Sequence, residues 1–223
     1  MPKIRFQHTY NNIISLENLL EAWKEFVRGK RSRKDVQEFE RDLMTNLIAL
    51  HRELAAKKYS HLAYQHFKIA DPKPRDIHKA SVRDRLLHHA LHRQLSSFFA
   101  NIDHAILLDI TAKDILDLIS IIVRSFNSSV VGVGLPLGNL TSQLLVNIYM
   151  NEFDQLMKHR LKAKYYLRYA DDFAVLSTDK AYLETILPAM QEFLGNKLKL
   201  SMHPDKIFIQ TVASGSHKSC QHA

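Results

Sequence analysis

Residues 164–177 read KYYLRYADDFAVLS, two apolar and aromatic runs separated by a pair of acidic residues. Runs rich in Tyr, Leu, Phe and Val that are joined by a short polar link are typical of two β-strands and a tight turn. The pattern therefore predicts a β-hairpin with Asp171 and Asp172 at its tip.

Two neighbouring acidic side chains at a hairpin tip admit two interpretations. Asp is common in turns, so the pair can be an ordinary polar turn. Alternatively, because a tip relaxes the alternation of side chains along a strand, both carboxylates can be aimed at one point. Crowded carboxylates repel unless a hard cation neutralises them, and Mg²⁺ is the usual cation, held together with substrate phosphates. The aromatic and apolar flanks favour this second interpretation.

Composition is that of an ordinary globular protein, with 46% hydrophobic and 24% charged residues among 223. The sequence contains no apolar run of the length that a transmembrane helix needs, and its start lacks the apolar core of a signal peptide, so we expect no membrane association and a cytoplasmic location. Cys220 is the single cysteine, which excludes a disulfide framework and a cysteine-based zinc site.

The net charge of +8 and the pI of about 9.5 favour a polyanionic partner, although a soluble basic protein without such a partner has the same composition. The turn KRSRK at residues 30–34 is equally open to two interpretations, a solvated surface turn or a contact to a phosphate backbone.

Apolar periodicity predicts most of the remaining elements. Helices are predicted at residues 12–28, from Asp35 as N-cap to Leu54, and at residues 84–93, 111–126 and 180–195, the last ending at Gly195. A further helix is predicted to open in the segment 134–143 and to continue through Leu156. Strands are predicted on both sides of a proline-containing turn within 64–77, and as two short strands around His203 and Pro204. His88, His89 and His92 share no helical face with a Cys or Glu ligand set, so we interpret them as solvent-facing or nucleic-acid-facing residues.

Two further segments carry chemistry. The segment DPKPR at residues 71–75 predicts a rigid turn that presents Lys73 and Arg75, either to a nucleoside triphosphate or to solvent. The segment GLPLGNLTSQ at residues 134–143 predicts a bend leading into a helix N-terminus, which favours phosphate or backbone oxygens.

Five segments resemble, in composition and order, the sequence blocks of bacterial reverse transcriptases. They are the two segments above, SVRDR at 81–85, YADD at 169–172 and HPDK at 203–206. The resemblance extends over residues 15–212 and is to the broad group that contains group II intron, retron and diversity-generating retroelement enzymes. It implies an α+β protein, the fingers and palm of a right-hand polymerase, with an antiparallel palm sheet backed by helices and no thumb. The implied domains are fingers at 1–93, palm at 94–212 and a disordered tail at 213–223.

The resemblance also implies the chemistry and the site. Deoxynucleotides would be added to a DNA or RNA primer on an RNA template through two Mg²⁺ ions, for which Mn²⁺ is a possible substitute. Each implied residue has a role by motif matching: Asp171 and Asp172 in catalysis and metal binding, Lys73 and Arg75 at the triphosphate, Gly138, Asn139 and Gln143 at the nucleotide and template, Phe99 in excluding a ribose 2′-hydroxyl, and Lys206 in supporting the palm hairpin.

The sequence departs from the family pattern upstream of the hairpin. Aligning on Phe98 and Phe99 puts Gln94 where the family has another metal-binding Asp on a palm strand. The helix at 84–93 runs directly into the next block, and the sequence stops before the primer-grip and thumb blocks. We therefore expect an internal deletion and a C-terminal truncation, and as the alternative function an inactive fragment that only binds RNA. The copied RNA, the priming mode, the oligomeric state and the choice among retroelement mobility, diversification and antiviral defence stay open.

Overall fold

The computed structural model describes residues 9–70, 74–99, 113–126, 133–135 and 140–211. The chain divides into two compact units, residues 1–148 and residues 149–223. Within the described ranges the α-helices and β-strands are α1 (Tyr10–Ile14), α2 (Leu16–Phe26), α3 (Lys34–Arg41), α4 (Leu43–Ala55), β1 (Gln65–Ile69), β2 (Arg75–Lys79), α5 (Val82–Phe99), α6 (Lys113–Arg124), α7 (Leu140–Gln155), β3 (Tyr165–Tyr169), β4 (Asp172–Leu176) and α8 (Lys180–Leu198). The expected mixture of helices and antiparallel sheet is confirmed. Three finer points stay predictions: the assignment of fingers and palm, their boundary at residue 93, and the lack of a thumb.

The first two predicted helices are each divided in the structure. Ser15 separates α1 from α2, because its hydroxyl accepts a hydrogen bond from the backbone N–H of Asn18 at 3.1 Å and so caps a new helix. Asp42 separates α3 from α4 with a φ of −116°. The prediction that Asp35 is an N-cap was wrong. Its carboxylate instead binds Lys79 and Arg85, at 2.7 and 2.5 Å, and the helix begins at Lys34.

The first unit has a helical core. Fully buried leucines from α2, α4 and α5 form its centre: Leu19, Leu47, Leu50, Leu54, Leu86 and Leu87. Trp23 is also buried and its ring lies 5.7 Å from the Phe26 ring and 5.3 Å from the Phe39 ring. Trp23 is therefore a core residue rather than an exposed platform on which a base could stack.

A buried carboxylate joins α5 to the segment before β1. Asp84 has no exposed surface and accepts hydrogen bonds from the Tyr59 hydroxyl at 2.9 Å, the Ser81 hydroxyl at 2.7 Å and the Leu62 backbone N–H at 3.1 Å. Arg83 donates to the same carboxylate at 3.2 Å. These bonds compensate for the desolvation of the charge.

His88 follows Asp84 by one turn on α5 and is buried, so the prediction of a solvent-facing histidine was wrong there. Its ring stacks on His61, with 5.4 Å between centroids. The apolar pattern that puts Leu87 and Leu91 in the core also turns position 88 inward, because neighbouring positions on a helix share a broad apolar face.

In the part of the chain that the structure describes, two short hairpins supply the strands. β1 and β2 pair antiparallel, from Gln65 opposite Lys79 to Ile69 opposite Arg75, as the strand-turn-strand pattern predicts. β3 and β4 also pair antiparallel. None of the described helices is long and apolar enough to cross a membrane.

The second unit packs its hairpin and α8 around Phe153, Met157, Ile186, Met190 and Leu194, all of which are buried. The predicted end of α8 at Gly195 was wrong, because the helix continues to a buried Leu198 and ends at Lys199 in a left-handed conformation. The two strands expected at 199–209 are absent from that described segment. A 3₁₀ turn occupies Pro204–Lys206, with the His203 ring accepting from the Asp205 N–H at 3.3 Å.

Candidate functional site

The predicted hairpin is present, with the two acids at its tip. Tyr169 ends β3 opposite Asp172, the first residue of β4, so that Ala170 and Asp171 form a two-residue loop. Ala170 has a φ of +53°, in the left-handed region that favours glycine. The loop therefore turns the chain within two residues and leaves both Asp171 and Asp172 exposed.

Side chains alternate between two faces of the hairpin. The inner face carries the half-buried side chains of Tyr166, Arg168, Phe173 and Val175. The outer face carries exposed side chains, among them Leu167 at 73% and Tyr169 at 79% exposure, and Asp172 belongs to it. The carboxylate of Asp172 is thus presented on an open, largely apolar and aromatic surface.

Aromatic packing fixes the inner face to the core of the second unit. The ring of Phe153, from the C-terminal part of α7, lies 5.0 Å from the Phe173 ring and 6.3 Å from the Tyr166 ring. Phe153 itself is fully buried. One strand of the hairpin therefore cannot shift along the other without moving side chains out of the core.

A charged network lies on the same inner face. Asp154 accepts hydrogen bonds from Arg168 Nε at 2.8 Å, from Arg168 Nη2 at 2.7 Å and from the Tyr166 hydroxyl at 2.7 Å. Burial alone would raise the pKa of Asp154, but the bonds from Arg168 and Tyr166 outweigh it, and the pKa lies below its usual value. The bond to Asp154 raises the pKa of Arg168, so this pair is a stable carboxylate and guanidinium.

The tip is chemically suited to a hard cation. Among the described residues, neither the Asp171 nor the Asp172 carboxylate takes part in a hydrogen bond or an ion pair. Carboxylate oxygens are the ligands that Mg²⁺ prefers, and Mg²⁺ is commonly held by one or two of them with substrate phosphates completing its shell. Within the part of the chain that the structure describes, no group of three or more His, Cys, Asp or Glu side chains is placed to hold a metal. The two carboxylates fit a site of the substrate-completed kind.

The other predicted site residues are distributed over both units. Arg75 is exposed at the start of β2, and Gln143 is exposed in the first turn of α7, both in the first unit. Lys206 is exposed at the end of the 3₁₀ turn in the second unit. The common site that the resemblance implies for these residues stays a prediction.

Four predicted positions fall wholly or partly outside the described residues. Lys73, Gly138 and Asn139 lie outside them, and Phe99 is described only as the last residue of α5. Gln94, which the family alignment places on a palm strand, lies inside the same helix and donates a hydrogen bond to Asn18 at 2.8 Å. The helical periodicity of Leu86, Leu87 and Leu91 continues to Leu95, which explains why α5 extends past residue 93.

Sequence reasoning missed Arg168 and Asp154. A signal was available for Arg168, because strand alternation puts it on the same face as Tyr166, where a charge requires a partner. The partner lies 14 residues earlier on a different element, and no local pattern connects the two.

Comparison with known proteins finds similar proteins that are longer than this chain and match it over part of their length. Protein YkfC of Escherichia coli (strain K12) is 28% identical over 163 residues, covering 54% of this chain and 43% of YkfC. Chains of a partial Cas6-RT-Cas1--Cas2 complex and of a Cas6-RT-Cas1--Cas2 complex are each 18% identical with a TM-score of 0.49. Each match covers 87% of this chain, and 44% and 27% of those chains. This chain thus spans less than half the length of each of these relatives.

The family comparison extends over most of the sequence. The model of one family, described as reverse transcriptase (RNA-dependent DNA polymerase), matches residues 10–220. The match includes both compact units and the hairpin with its two acids. The chain belongs to the reverse transcriptase family.

Proposed function

We propose that this chain contains the fingers and palm of an RNA-directed DNA polymerase and that Asp171 and Asp172 bind the Mg²⁺ ions of its active site. The observation that carries the proposal is the hairpin tip, where two adjacent carboxylates are exposed and have no side-chain partner among the described residues. Paired or buried acids would already be neutralised, whereas these leave their oxygens available to a hard cation. Mn²⁺ is expected to replace Mg²⁺.

The chain's own residues bind and orient the reactants in this proposal. The chemistry that Mg²⁺ supplies in such sites is stabilisation of the charge that develops on the transferring phosphoryl group and activation of the attacking hydroxyl. Asp171 and Asp172 would hold the cation through their carboxylate oxygens, and the cation would offset the repulsion between these carboxylates and the phosphates of the primer end and the incoming deoxynucleotide. The remaining roles are the ones that the family resemblance implies: Lys73 and Arg75 at the triphosphate, Gly138, Asn139 and Gln143 at nucleotide and RNA template, Phe99 against a 2′-hydroxyl and Lys206 behind the hairpin.

Extension of a labelled DNA primer on an RNA template tests this proposal. We expect Mg²⁺-dependent extension by the unaltered chain and a loss of more than about 100-fold in Asp171→Ala, since misplacing a reacting group by 1 Å alone costs that much. Glu192→Gln is the control, because it also removes one exposed carboxylate from the second unit, on α8 away from the tip in sequence. Equal extension by Asp171→Ala and the unaltered chain would contradict the proposal.

Binding of RNA without polymerisation is a second candidate function, and a cluster of cations favours it. Lys30, Arg33, Lys79 and Arg85, here called the basic cluster, lie around the Phe26 ring and the N-terminus of α3. The Lys30 ammonium is 4.8 Å and the Arg85 guanidinium 5.2 Å from that ring centroid. Among the described residues, Asp35 is the acid that ion-pairs with the cluster, and it is shared between Lys79 and Arg85.

The electrostatics of the basic cluster are consistent with an anion-binding surface. Burial first, and then the nearby charges of Arg33 and Arg85, lower the pKa of Lys30. Arg33 is the N-cap residue of α3 and its side chain makes no capping bond, so the helix end adds its own positive potential. Phosphate groups of RNA have the charge that this surface attracts.

A further inference from the structure

Arg168 lies on the inner face of β3, three residues before Asp171. We infer that Arg168, held in place by Asp154, is a positioning residue that fixes the loop conformation in which Asp171 and Asp172 bind metal. The inference rests on the proposed function in one respect, because it requires that the tip binds a divalent cation. It adds a residue pair on α7 and β3 that does not touch the metal and still determines how well the metal is held.

Asp154 fixes the guanidinium group on one side. The two bonds from Nε and Nη2, at 2.8 and 2.7 Å, reach different oxygens of one carboxylate, which is the parallel, bidentate arrangement. The Tyr166 hydroxyl donates to the same carboxylate at 2.7 Å and restrains it further. The Arg168 and Asp154 side chains are only 10% and 17% exposed, so water competes weakly for these bonds. The plane and position of the guanidinium are therefore fixed by Asp154, a residue of α7.

The other side of the guanidinium reaches the loop. Arg168 Nη1 donates to the backbone carbonyl of Ala170 at 2.6 Å. That carbonyl belongs to the peptide group that joins Ala170 to Asp171, so its direction sets where the backbone of Asp171 begins. Ala170 is in the left-handed region at φ +53°, which costs a residue other than glycine about 1 kcal/mol and needs a compensating contact. Arg168 supplies such a contact.

Lysine cannot reproduce this geometry. A guanidinium presents donors in a rigid planar fork, so that one edge binds the Asp154 carboxylate while another donor is aimed at the Ala170 carbonyl. An ammonium group is a point charge on a flexible stem and satisfies either partner without fixing their relative position. Arg168→Lys therefore keeps the charge and removes the positioning, and Asp154→Asn keeps the shape and weakens the anchor.

The experiment measures Mn²⁺ affinity of the protein alone, from the electron paramagnetic resonance signal of free Mn²⁺. The variants are Arg168→Lys and Asp154→Asn, with Asp171→Ala to define the affinity due to the tip. Arg83→Lys is the matched control, because Arg83 also bonds carboxylates and a backbone carbonyl, those of Asp84, Glu53 and Ser60, and is 18% exposed, but lies in the first unit. Circular dichroism and thermal unfolding identify a temperature at which every variant is folded.

We expect Arg168→Lys and Asp154→Asn each to weaken the Asp171-dependent Mn²⁺ affinity by about 10- to 100-fold, the range typical of residues that orient metal ligands, while Arg83→Lys does not change it. A purely structural role would lower the unfolding temperature without changing this affinity. Affinity equal to that of the unaltered chain in both variants overturns the inference, as does an unaltered chain without Asp171-dependent affinity. Primer extension on the same preparations separates the two proposals. If Mn²⁺ binding depends on Arg168 but no primer is extended, the proposal of polymerase activity is overturned and the proposed positioning role of Arg168 is supported.

Discussion

His88 places an imidazole ring among core side chains of the first unit, where neither ring nitrogen has a hydrogen-bond partner among the described residues. Burial first, and then the neighbouring His61, lower the pKa of His88 to about 3. The unfolded chain has the ordinary value near 6.5, so between these two pH values the unfolded state binds a proton that the folded state does not. Stability is consequently lost as the pH falls through this window, by about 1.4 kcal/mol for each pH unit.

Replacement of His88 by leucine tests this linkage. At pH 7.5 we expect only a small change in the free energy of unfolding, because the proton-linked loss is absent there and leucine removes two ring nitrogens that have no partner among the described residues. At pH 5 the variant should be more stable than the unaltered chain by about 2 kcal/mol beyond its difference at pH 7.5, since the proton-linked loss is absent. Urea unfolding at both pH values measures this, with His66→Gln on the exposed strand β1 as control. If the variant and the unaltered chain differ in free energy of unfolding by the same amount at both pH values, His88 does not have the lowered pKa.

At the scale of elements, the hairpin could be predicted from sequence because its information is local. Strand alternation and the acidic turn lie within fourteen residues, and the structure follows them. Helix ends could not be predicted as well, because distant contacts decide them. Asp35 would cap α3 if Lys79 and Arg85 did not bind it, and Gly195 would end α8 if burial of Leu198 did not extend the helix. The pairing of Arg168 with Asp154 was hidden for the same reason.

Pro188 gives a prediction at the same scale, because it lies inside α8 and is exposed there. Its ring removes one helical hydrogen bond and crowds the preceding turn, at a cost of about 3 kcal/mol relative to alanine. Alanine also frees the unfolded chain, which offsets up to about 1 kcal/mol. We therefore expect Pro188→Ala to stabilise the second unit by about 2 kcal/mol in denaturant unfolding. Gln191→Ala, another exposed position of α8, is the control, and a destabilised Pro188→Ala would show that the proline is required.

At the scale of the whole molecule, the order of the sequence blocks identified the family, and the family model confirmed it over residues 10–220. The site as an assembly could not be established in the same way. Asp171 and Asp172 belong to one unit and Arg75 and Gln143 to the other. The order of the motifs along the sequence indicates which residues the family uses. Whether these residues meet at one substrate depends on how distant segments pack together, and no local sequence pattern specifies that packing.

The net charge of +8 could attract RNA without any particular binding surface. The last prediction therefore distinguishes RNA contacts made by the basic cluster from attraction by the total charge of the protein. Each cation that contacts an RNA phosphate releases counterions, and each contact contributes about 0.7 to the slope of log affinity against log salt for a single strand. The double variant Lys30→Met and Arg33→Met removes two charges and keeps an unbranched apolar stem at position 30, beside the Phe26 ring. We expect its salt slope for a short single-stranded RNA to fall by about 1.4.

The matched control is the double variant Arg52→Met and Lys58→Met, which removes two exposed cations near the end of α4 and gives the same net charge. If binding depends on total charge alone, both doubles must weaken RNA binding equally, since a diffuse potential does not distinguish where the charge is lost. If the basic cluster contacts the RNA backbone, only the first double reduces the slope. Binding of RNA that does not weaken as salt rises would contradict phosphate recognition by either surface. Because neither double alters Asp171 or Asp172, a change in RNA binding in either one is due to the lost cations and not to the hairpin tip.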